Sequence, residues 1–311
     1  MSVLAALLAL VPFPVTVEPF PGLSEPEQVG CMVLRRGVTL STDDPGFGGY
    51  SGLTLVDGEL TLLSDAGHWL RGQAVVDEAG DLVGADGFDR GPILTKDGER
   101  LTKKTGDAED LVWLGQSWAA SFEAFARIGA LGSDGRLSRV SRVPKSDRPV
   151  VRFNQGFEGL ALLPDGRLMA ISEGVDPEGY ARVRTGRLGT ELSEWPVTRY
   201  KPKAPFQVTA ARADPETGDL YVLERAFSPW RGARMRLARV PADEVGGDVM
   251  EGDELTRMGF LQGIDNMEGL ELGHAADGSL RFYIVSDDNF SRAQRTILLT
   301  LSVAEGCLDA R

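Results

Sequence analysis

Residues on which many common active sites depend are scarce in this sequence. Its 311 residues include two cysteines and two histidines. Without a Cys-x-x-Cys motif or a Cys/His cluster, the chain has no candidate for a structural zinc site. P-loop, dinucleotide-binding and His-Glu-x-x-His patterns are missing as well. The nearest match to Gly-x-Ser-x-Gly, at Gly49–Leu53, fails at its last position. The sequence therefore offers no standard nucleophile, nucleotide or zinc-hydrolase motif.

Positive charge is also sparse. The formal net charge is −13, and no run of five or more lysines and arginines occurs. Such a field repels DNA and RNA, so we predict no nucleic-acid partner. A small anionic substrate would need a bound cation or local arginines to approach.

Long helical patterns are absent, and turn-forming residues are abundant. The chain has 38 glycines and 17 prolines, and 42% of its residues are hydrophobic. This composition suits many short strands joined by tight turns around a real core. We predict an all-β fold.

The N-terminus carries an apolar run, Val3–Val15. The run is too short to span a bilayer and has the length of a secretory signal core. No Lys or Arg precedes it and no clear Ala-x-Ala site follows it, so a buried first strand or a misassigned start is the alternative. We predict a signal over 1–20, a single domain over 21–311, a periplasmic or secreted location and no membrane span in the mature protein.

Internal repeats organise the rest of the chain. Five segments share a short apolar strand, a turn and a second strand that ends in an acid. They start at residues 51, 109, 158, 209 and 268, about 54 residues apart on average, which is typical of propeller blades. The acids that end the second strands are Asp65, Glu123, Glu173, Glu224 and Asp287.

The repeats predict a β-propeller with the N- and C-terminal strands closing one blade. The length favours six blades, with residues 25–42 and 72–97 supplying extra strands; five blades are the alternative. A β-sandwich, the main rival, does not explain the recurring acid. Cys31 and Cys307 lie near the two ends, so they are either two free buried cysteines or a disulfide that joins the first and last strands.

Equivalent positions in a propeller lie on one ring, so the repeated acids are expected to converge. Carboxylates so close together need a cation, arginine partners or raised pKa values, and Ca²⁺ suits a set of oxygen ligands best. The predicted metal ligands are Asp65, Glu158, Glu173, Glu224, Glu268, Asp287 and Asp288. The alternative is structural: the acids accept backbone N–H bonds or pair with arginines such as Arg127, Arg225, Arg292 and Arg295.

Candidate catalytic residues follow from the same ring. Asp65, Glu173 and Asp287 are candidate general bases, and His68 is a further acid/base candidate because it lies three residues beyond Asp65. His274 is expected at an exposed turn. Arg225, Arg292 and Asn289 are predicted to bind the substrate.

Several motifs together resemble a known family. They are Gly48–Leu53 with Leu63–Gly67, Phe157–Ala161, Leu220–Ser228, Ile264–Leu270, and Val285–Ser291 with Gln294–Thr296. Over about residues 45–303 the chain resembles the phytase-like family, also described as "esterase-like activity of phytase". The resemblance implies a propeller-class fold, export, and hydrolysis of phosphoesters or esters. Ala66 and Ala226 stand where arginines are common in the family, which weakens the expectation of phytate as the substrate.

The sequence thus predicts an exported monomeric hydrolase of phosphoesters or simple esters, helped by Ca²⁺, with a small anionic or ester substrate. A non-catalytic periplasmic propeller that binds a ligand or partner is the alternative. A lactonase-like metal hydrolase is a weaker one.

Overall fold

The computed structural model describes residues 12–123, 126–143 and 156–308. In these residues the chain forms five β-sheets arranged as the blades of a propeller. None of the helices in this part of the chain has the length and apolar character needed to cross a membrane. The export signal predicted for residues 1–20 falls largely outside the described residues.

The first three strands belong to the last blade, and blade one begins after them. Three strands precede the first repeat: β1 (Thr16–Pro19), β2 (Glu27–Val29) and β3 (Met32–Ser41). Blade one then follows as an antiparallel sheet of β4 (Tyr50–Val56), β5 (Glu59–Ser64), β6 (His68–Val76) and β7 (Leu82–Pro92). Blade two repeats this order with β8 (Ala108–Trp113), β9 (Trp118–Phe122), β10 (Arg127–Leu131) and β11 (Leu137–Arg142).

Blade three gains one short strand from the segment of chain that builds blade four. Blade three contains β12 (Phe157–Leu162), β13 (Leu168–Val175), β14 (Ala181–Gly186) and β15 (Val197–Tyr200), with a 3-10 helix at Leu192–Glu194. Blade four contains β16 (Gln207–Ala213), β17 (Leu220–Ser228), β18 (Gly232–Val240) and, after β19 (Val249–Met250), β20 (Asp253–Met258). The short β19 pairs in parallel with β15 and so extends blade three.

The last blade closes the ring with strands from both ends of the chain. A 3-10 helix at Phe260–Gln262 leads into β21 (Asn266–His274), β22 (Leu280–Asp287) and β23 (Thr296–Val303). The next strand in this sheet is β3, which pairs antiparallel with β23, while β1 and β2 pair with β3. Cys31 and Cys307 form a disulfide across this closure.

The propeller prediction is confirmed, and the preference for six blades is wrong. Residues 72–97, expected to supply extra strands, are used in the long β6 and β7 of blade one. Residues 25–42 provide β2 and β3, the outer strands of blade five. The surplus length therefore lies inside blades, chiefly in β6 and β7 of blade one and in β3 of blade five.

The core lies between neighbouring blades. Within the described ranges there are five clusters of buried apolar side chains, and each joins one blade to the next. Blades one and two, for example, share Leu63, Trp69, Leu111 and Trp118. Burial of such side chains supplies the main favourable free energy of folding, and the ring arrangement lets every sheet bury both faces.

Arg212 closes the central channel. The inner strands β4, β8, β12, β16 and β21 contact one another in ring order. From β16, the buried Arg212 guanidinium donates hydrogen bonds to the carbonyl oxygens of Leu53, Leu111, Leu160 and Ala211, one from each of blades one to four. It also pairs with Asp110 at 3.0 Å and lies 3.6 Å from Glu271 of blade five. The channel is therefore a pit with a floor.

Candidate active site

A β-bulge marks the start of every inner strand. The strand register shifts at Tyr50/Gly52, Ala108/Leu111, Phe157/Gly159, Val208/Ala210 and Met267/Gly269. A bulge leaves one residue unpaired and turns its side chain in a new direction. The residues in the bulges are Ser51, Glu109 with Asp110, Glu158, Thr209 and Glu268. Three of the five bulges thus present a glutamate at the same end of the channel.

The repeated acids reach this end as well, because each second strand ends where its inner strand begins. In blade one, Tyr50 pairs with Ser64, the residue before Asp65. In blades four and five, the pairs are Val208 with Glu224 and Asn266 with Asp287. We call the group of carboxylates that meet here the acidic mouth; it consists of Asp65, Asp107, Glu109, Glu123, Glu158, Glu173, Glu268 and Asp287. The predicted convergence of acids is present, although with a changed membership.

Three carboxylates of blade two form the tightest group in the mouth. Oxygen atoms of Asp107, Glu109 and Glu123 all lie within 4.8 Å of one another. Burial, a hydrogen bond to Asp107 and its charge raise the pKa of Glu123 to about 8. Burial and then the charges of Glu123 and Asp107 raise the pKa of Glu109 well above its ordinary value. We call these three residues the blade-two carboxylates.

Lys103 links the blade-two carboxylates to blade one. Its Nζ forms an ion pair with Asp65 and lies 3.7 Å from Asp107. Burial raises the pKa of Asp65 in spite of this pair, so desolvation outweighs the attraction of one lysine. Asp65 Oδ1 is buried and accepts no hydrogen bond from the described residues. Gly49, at φ +67°, is packed against this oxygen, where a Cβ would collide.

Arg225 is the cation on the opposite side of the mouth. Its Nε lies 3.2 Å from Glu268 and its Nη2 lies 3.7 Å from Glu173. Its Nη1 donates to Asn266 Oδ1 at 2.8 Å, and Asn266 in turn donates to Glu268. Burial, only partly offset by Arg225, raises the pKa of Glu268 to about 7. One arginine serves several acids here, so negative charge stays in excess.

Glu158 and Asp287 complete the mouth. Burial and then the charge of Glu173 raise the pKa of Glu158 well above its ordinary value. Burial also raises the pKa of Asp287 to about 7, although its carboxylate accepts a 2.6 Å hydrogen bond from the backbone N–H of Asn289. Asp287 thus exchanges a proton near neutral pH.

Two predicted metal ligands are engaged in other contacts. Glu224 accepts hydrogen bonds from Tyr200 at 2.5 Å, Arg236 at 2.7 Å and the Lys203 backbone at 3.3 Å. Asp288 accepts from the backbone N–H groups of Gly49 and Phe290 and from the Thr296 hydroxyl. Their oxygens hold the loops around the mouth, which corresponds to the structural alternative for these two positions.

The predicted substrate-binding residues divide in the same way. Arg225 lies in the mouth with its side chain 26% exposed. Asn289 turns the chain after Asp287 with φ +50° and contacts Gln294 through its amide. Arg292 is exposed in the following loop. The structure therefore places Arg225 among the carboxylates and the other two on the loop beyond them.

The two histidines lie at opposite ends of the propeller, His68 at the start of β6 and His274 at the end of β21. His68 is buried with its ring 5.7 Å from that of Tyr50. Burial and then the charge of Arg90 lower its pKa to about 4, and Asp44 is the nearby acid that opposes this shift. His274 ends β21 at the far end of the strand, exposed, with Nε2 3.8 Å from Asp214.

Sequence reasoning missed Asp107, Glu109 and Lys103 as site residues. Glu109 started a repeat unit, so alignment with Glu158 and Glu268 could have assigned it to the same ring. Asp107 precedes its strand, at φ +54°, and no repeat position marks it. Lys103 lies in the loop between blades one and two, where the repeat pattern carries no information.

The fold and the mouth define a class: a five-bladed propeller whose channel is closed at one level and lined by carboxylates at one end. A family model for phytase-like proteins, described as "esterase-like activity of phytase", matches residues 45–290. The chain belongs to this family. No curated protein matches the chain at a significant level.

Solved structures give fold-level likeness. A thermostable family-43 glycoside hydrolase is 11% identical with a TM-score of 0.50, and the match covers 84% of this chain and 92% of that one. A PQQ-bound aldose sugar dehydrogenase from Streptomyces coelicolor is 15% identical with a TM-score of 0.47, covering 94% and 99%. The first likeness concerns the fold alone, and the second is too remote for inference.

Proposed function

We propose that the chain is an exported hydrolase of phosphoesters or simple esters whose acidic mouth holds a divalent cation, most suitably Ca²⁺. Membership of the phytase-like family supports a hydrolase. The observation that carries the cation is the set of blade-two carboxylates, whose oxygens lie within 4.8 Å of one another.

The residues of the mouth fit a hard cation. Ca²⁺ binds six to eight oxygens at about 2.3–2.6 Å, so ligand oxygens around one ion are separated by up to about 5 Å. Asp107, Glu109 and Glu123 meet this spacing, and the buried Asp65 Oδ1 without a hydrogen-bond donor is a further acceptor nearby. Burial and then the neighbouring carboxylates raise the pKa values of Glu109 and Glu123, and a bound cation would relieve this cost of holding negative charge.

When bound, the cation supplies charge neutralisation and polarisation of the substrate oxygen. The chain's own residues supply the remaining functions. Arg225 is positioned to hold an anionic group by charge-assisted hydrogen bonds. Asp287, with a pKa of about 7, suits transfer of a proton near neutral pH, since a catalytic acid or base works best with a pKa close to the operating pH. The floor at Arg212 confines the substrate to the mouth.

A non-catalytic binding propeller remains the second candidate. One observation favours it: Arg225 is already engaged with Asn266, Glu173 and Glu268, and a residue so fully used can be structural. A lactonase-like metal hydrolase uses the same groups on a cyclic ester and is tested by the same assay.

Hydrolysis assays separate these functions. Purified protein is tested on p-nitrophenyl phosphate, p-nitrophenyl acetate, phytate and a simple lactone, with Ca²⁺ or with EDTA. We expect hydrolysis that EDTA removes, and a loss of about 100-fold or more in Glu123→Gln. Glu216→Gln, at a site 70% exposed and far from the mouth, is the matched control and should retain activity. Absence of hydrolysis, together with no Ca²⁺-dependent rise in melting temperature, would contradict the hydrolase and favour the binding module.

A further inference from the structure

Four large apolar side chains project into solvent from blade four and the segment that follows it. Phe227 is 68% exposed, Trp230 95%, Phe260 85% and Leu261 90%, while the other exposed large apolar residues of the described chain range from 36% to 48%. We call these four residues the apolar tips. Side chains this exposed are convex projections, so they do not line a pocket.

The apolar tips lie on two adjacent segments. Phe227 and Trp230 belong to the hairpin of β17 and β18, in which Phe227 pairs with Ala233. The 3-10 helix Phe260–Gln262 lies beside this hairpin, because Gly259 approaches the side chain of Arg234. Both segments rise at the end of the propeller that carries the acidic mouth, since Phe227 follows Arg225 by two residues on the same face of β17.

Arginines surround the apolar tips in an otherwise acidic protein. Residues 225–242 contain five arginines and no acid, against a net charge of −13 for the whole chain. Arg225, Arg236 and Arg239 turn inward to acids, whereas Arg231 is exposed at the hairpin tip. In the strands below the hairpin tip, the guanidinium groups of Arg234 in β18 and Arg257 in β20 lie 5.5 and 5.3 Å from the ring centroid of Phe206.

A further arginine lies in blade five, and we call Arg231, Arg234, Arg257 and Arg295 the arginine collar. Arg295 donates to the carbonyl oxygen of Gly263, directly after the 3-10 helix. Three acids lie close to the apolar tips: Glu254 pairs with Arg236 and Arg257, Asp265 accepts from Gln294 and the Arg295 backbone, and Glu27 accepts from Gln262. The local surface is therefore apolar at its tips, with four arginines and three acids around them, in a chain whose net charge is −13.

From this arrangement we infer that the apolar tips are a docking surface for an anionic lipid bilayer. Aromatic and leucine side chains enter the boundary between headgroups and acyl chains, while flanking arginines attract anionic headgroups. A stable protein partner needs about 20–30 residues on each side. The two short segments that carry the apolar tips present far fewer. Docking would bring the acidic mouth next to the bilayer and its lipids.

Vesicle co-sedimentation tests the inference. The full chain is mixed with vesicles of phosphatidylcholine plus phosphatidylglycerol, and with vesicles of phosphatidylcholine alone. We expect binding to the anionic vesicles that falls with added salt, and at least about tenfold weaker partitioning for the Trp230→Ser/Leu261→Ser double variant, because two apolar side chains no longer enter the lipid. Arg231→Glu should weaken binding to the anionic vesicles and leave binding to the phosphatidylcholine vesicles unchanged.

The matched control is Val76→Ser. This variant removes an apolar side chain that is 47% exposed at the end of β6 in blade one, away from the acidic mouth and the apolar tips. It should bind vesicles like the wild type. Lack of binding to either vesicle overturns the inference, as does binding that survives in the double variant, which would assign it to another part of the chain. Sedimentation as a dimer or larger assembly that Trp230→Ser dissolves would also overturn it, in favour of a protein interface.

Discussion

At the scale of single residues, Arg212 connects all five blades. Its guanidinium joins four inner-strand carbonyls to Asp110 and Glu271 at the propeller axis. A buried ion pair adds little net stability when both partners are present, but removal of one partner leaves a charge without compensation. Burial already raises the pKa of Asp110 and brings that of Glu271 to about 7.

Arg212→Met should therefore lower the free energy of unfolding by at least about 3 kcal/mol, measured by urea denaturation. The control is Arg167→Met. The side chains of Arg167 and its partner Asp165 are both exposed, so this pair should contribute less than about 1 kcal/mol to the free energy of unfolding. Similar changes in the two variants would show that the floor of the channel is not a stabilising element.

His68 gives a pH-dependent test of its burial. Because its pKa falls from the ordinary value of 6.5 to about 4 in the fold, the unfolded chain takes up the proton first as the pH drops. The stability that neutral His68 contributes is full above about pH 6.5 and is lost as the pH falls toward 4. From pH 7 to 4, the wild type should lose up to about 3 kcal/mol more than His68→Gln. Parallel stability curves for the two proteins would contradict this placement of His68.

Single residues also show where sequence reasoning ends. The convergence of Asp65, Glu173 and Asp287 followed from their equivalent repeat positions. The engagement of Glu224 did not, because Tyr200 and Arg236 reach it from β15 and β18, which lie outside the repeated hairpins. An acid at the end of a strand reads the same in the sequence whether its side chain faces the channel or a neighbouring strand.

At the scale of elements, the inner two strands of each blade are the predictable part. Hairpin turns such as Pro164–Gly166 and the periodic acid located them in all five units. Outer strands such as β7 and β20 face fewer constraints, since they vary in length and lie at sheet edges. This is why surplus residues suggested a sixth blade, although they lengthen the strands of five.

The closure of blade five gives a prediction for the disulfide. Cys31 and Cys307 are separated by 276 residues, and a cross-link over so long a loop restricts the unfolded chain strongly. Reduction should lower the free energy of unfolding by about 2–5 kcal/mol, seen as a lower denaturation midpoint with dithiothreitol. The Cys31→Ser/Cys307→Ser variant should show the low midpoint with or without reductant. A wild-type midpoint that ignores the reductant would count against a stabilising role.

At the scale of the whole molecule, charge is distributed unevenly. Within the part of the chain that the structure describes, eight carboxylates of the acidic mouth face two cations, Lys103 and Arg225. The arginine collar lies on blades four and five beside them. A net negative mouth repels a phosphoester unless a cation is bound, so the proposed hydrolase depends on metal binding.

Titration calorimetry of Ca²⁺ into EDTA-treated protein tests this dependence most directly. We predict saturable binding that Glu109→Gln weakens by at least about tenfold, because it removes one of the blade-two carboxylates. Glu216→Gln, the exposed control, should bind as the wild type does. Absence of Ca²⁺ binding at about 1 mM, or equal binding in wild type and Glu109→Gln, would contradict a cation site in the acidic mouth.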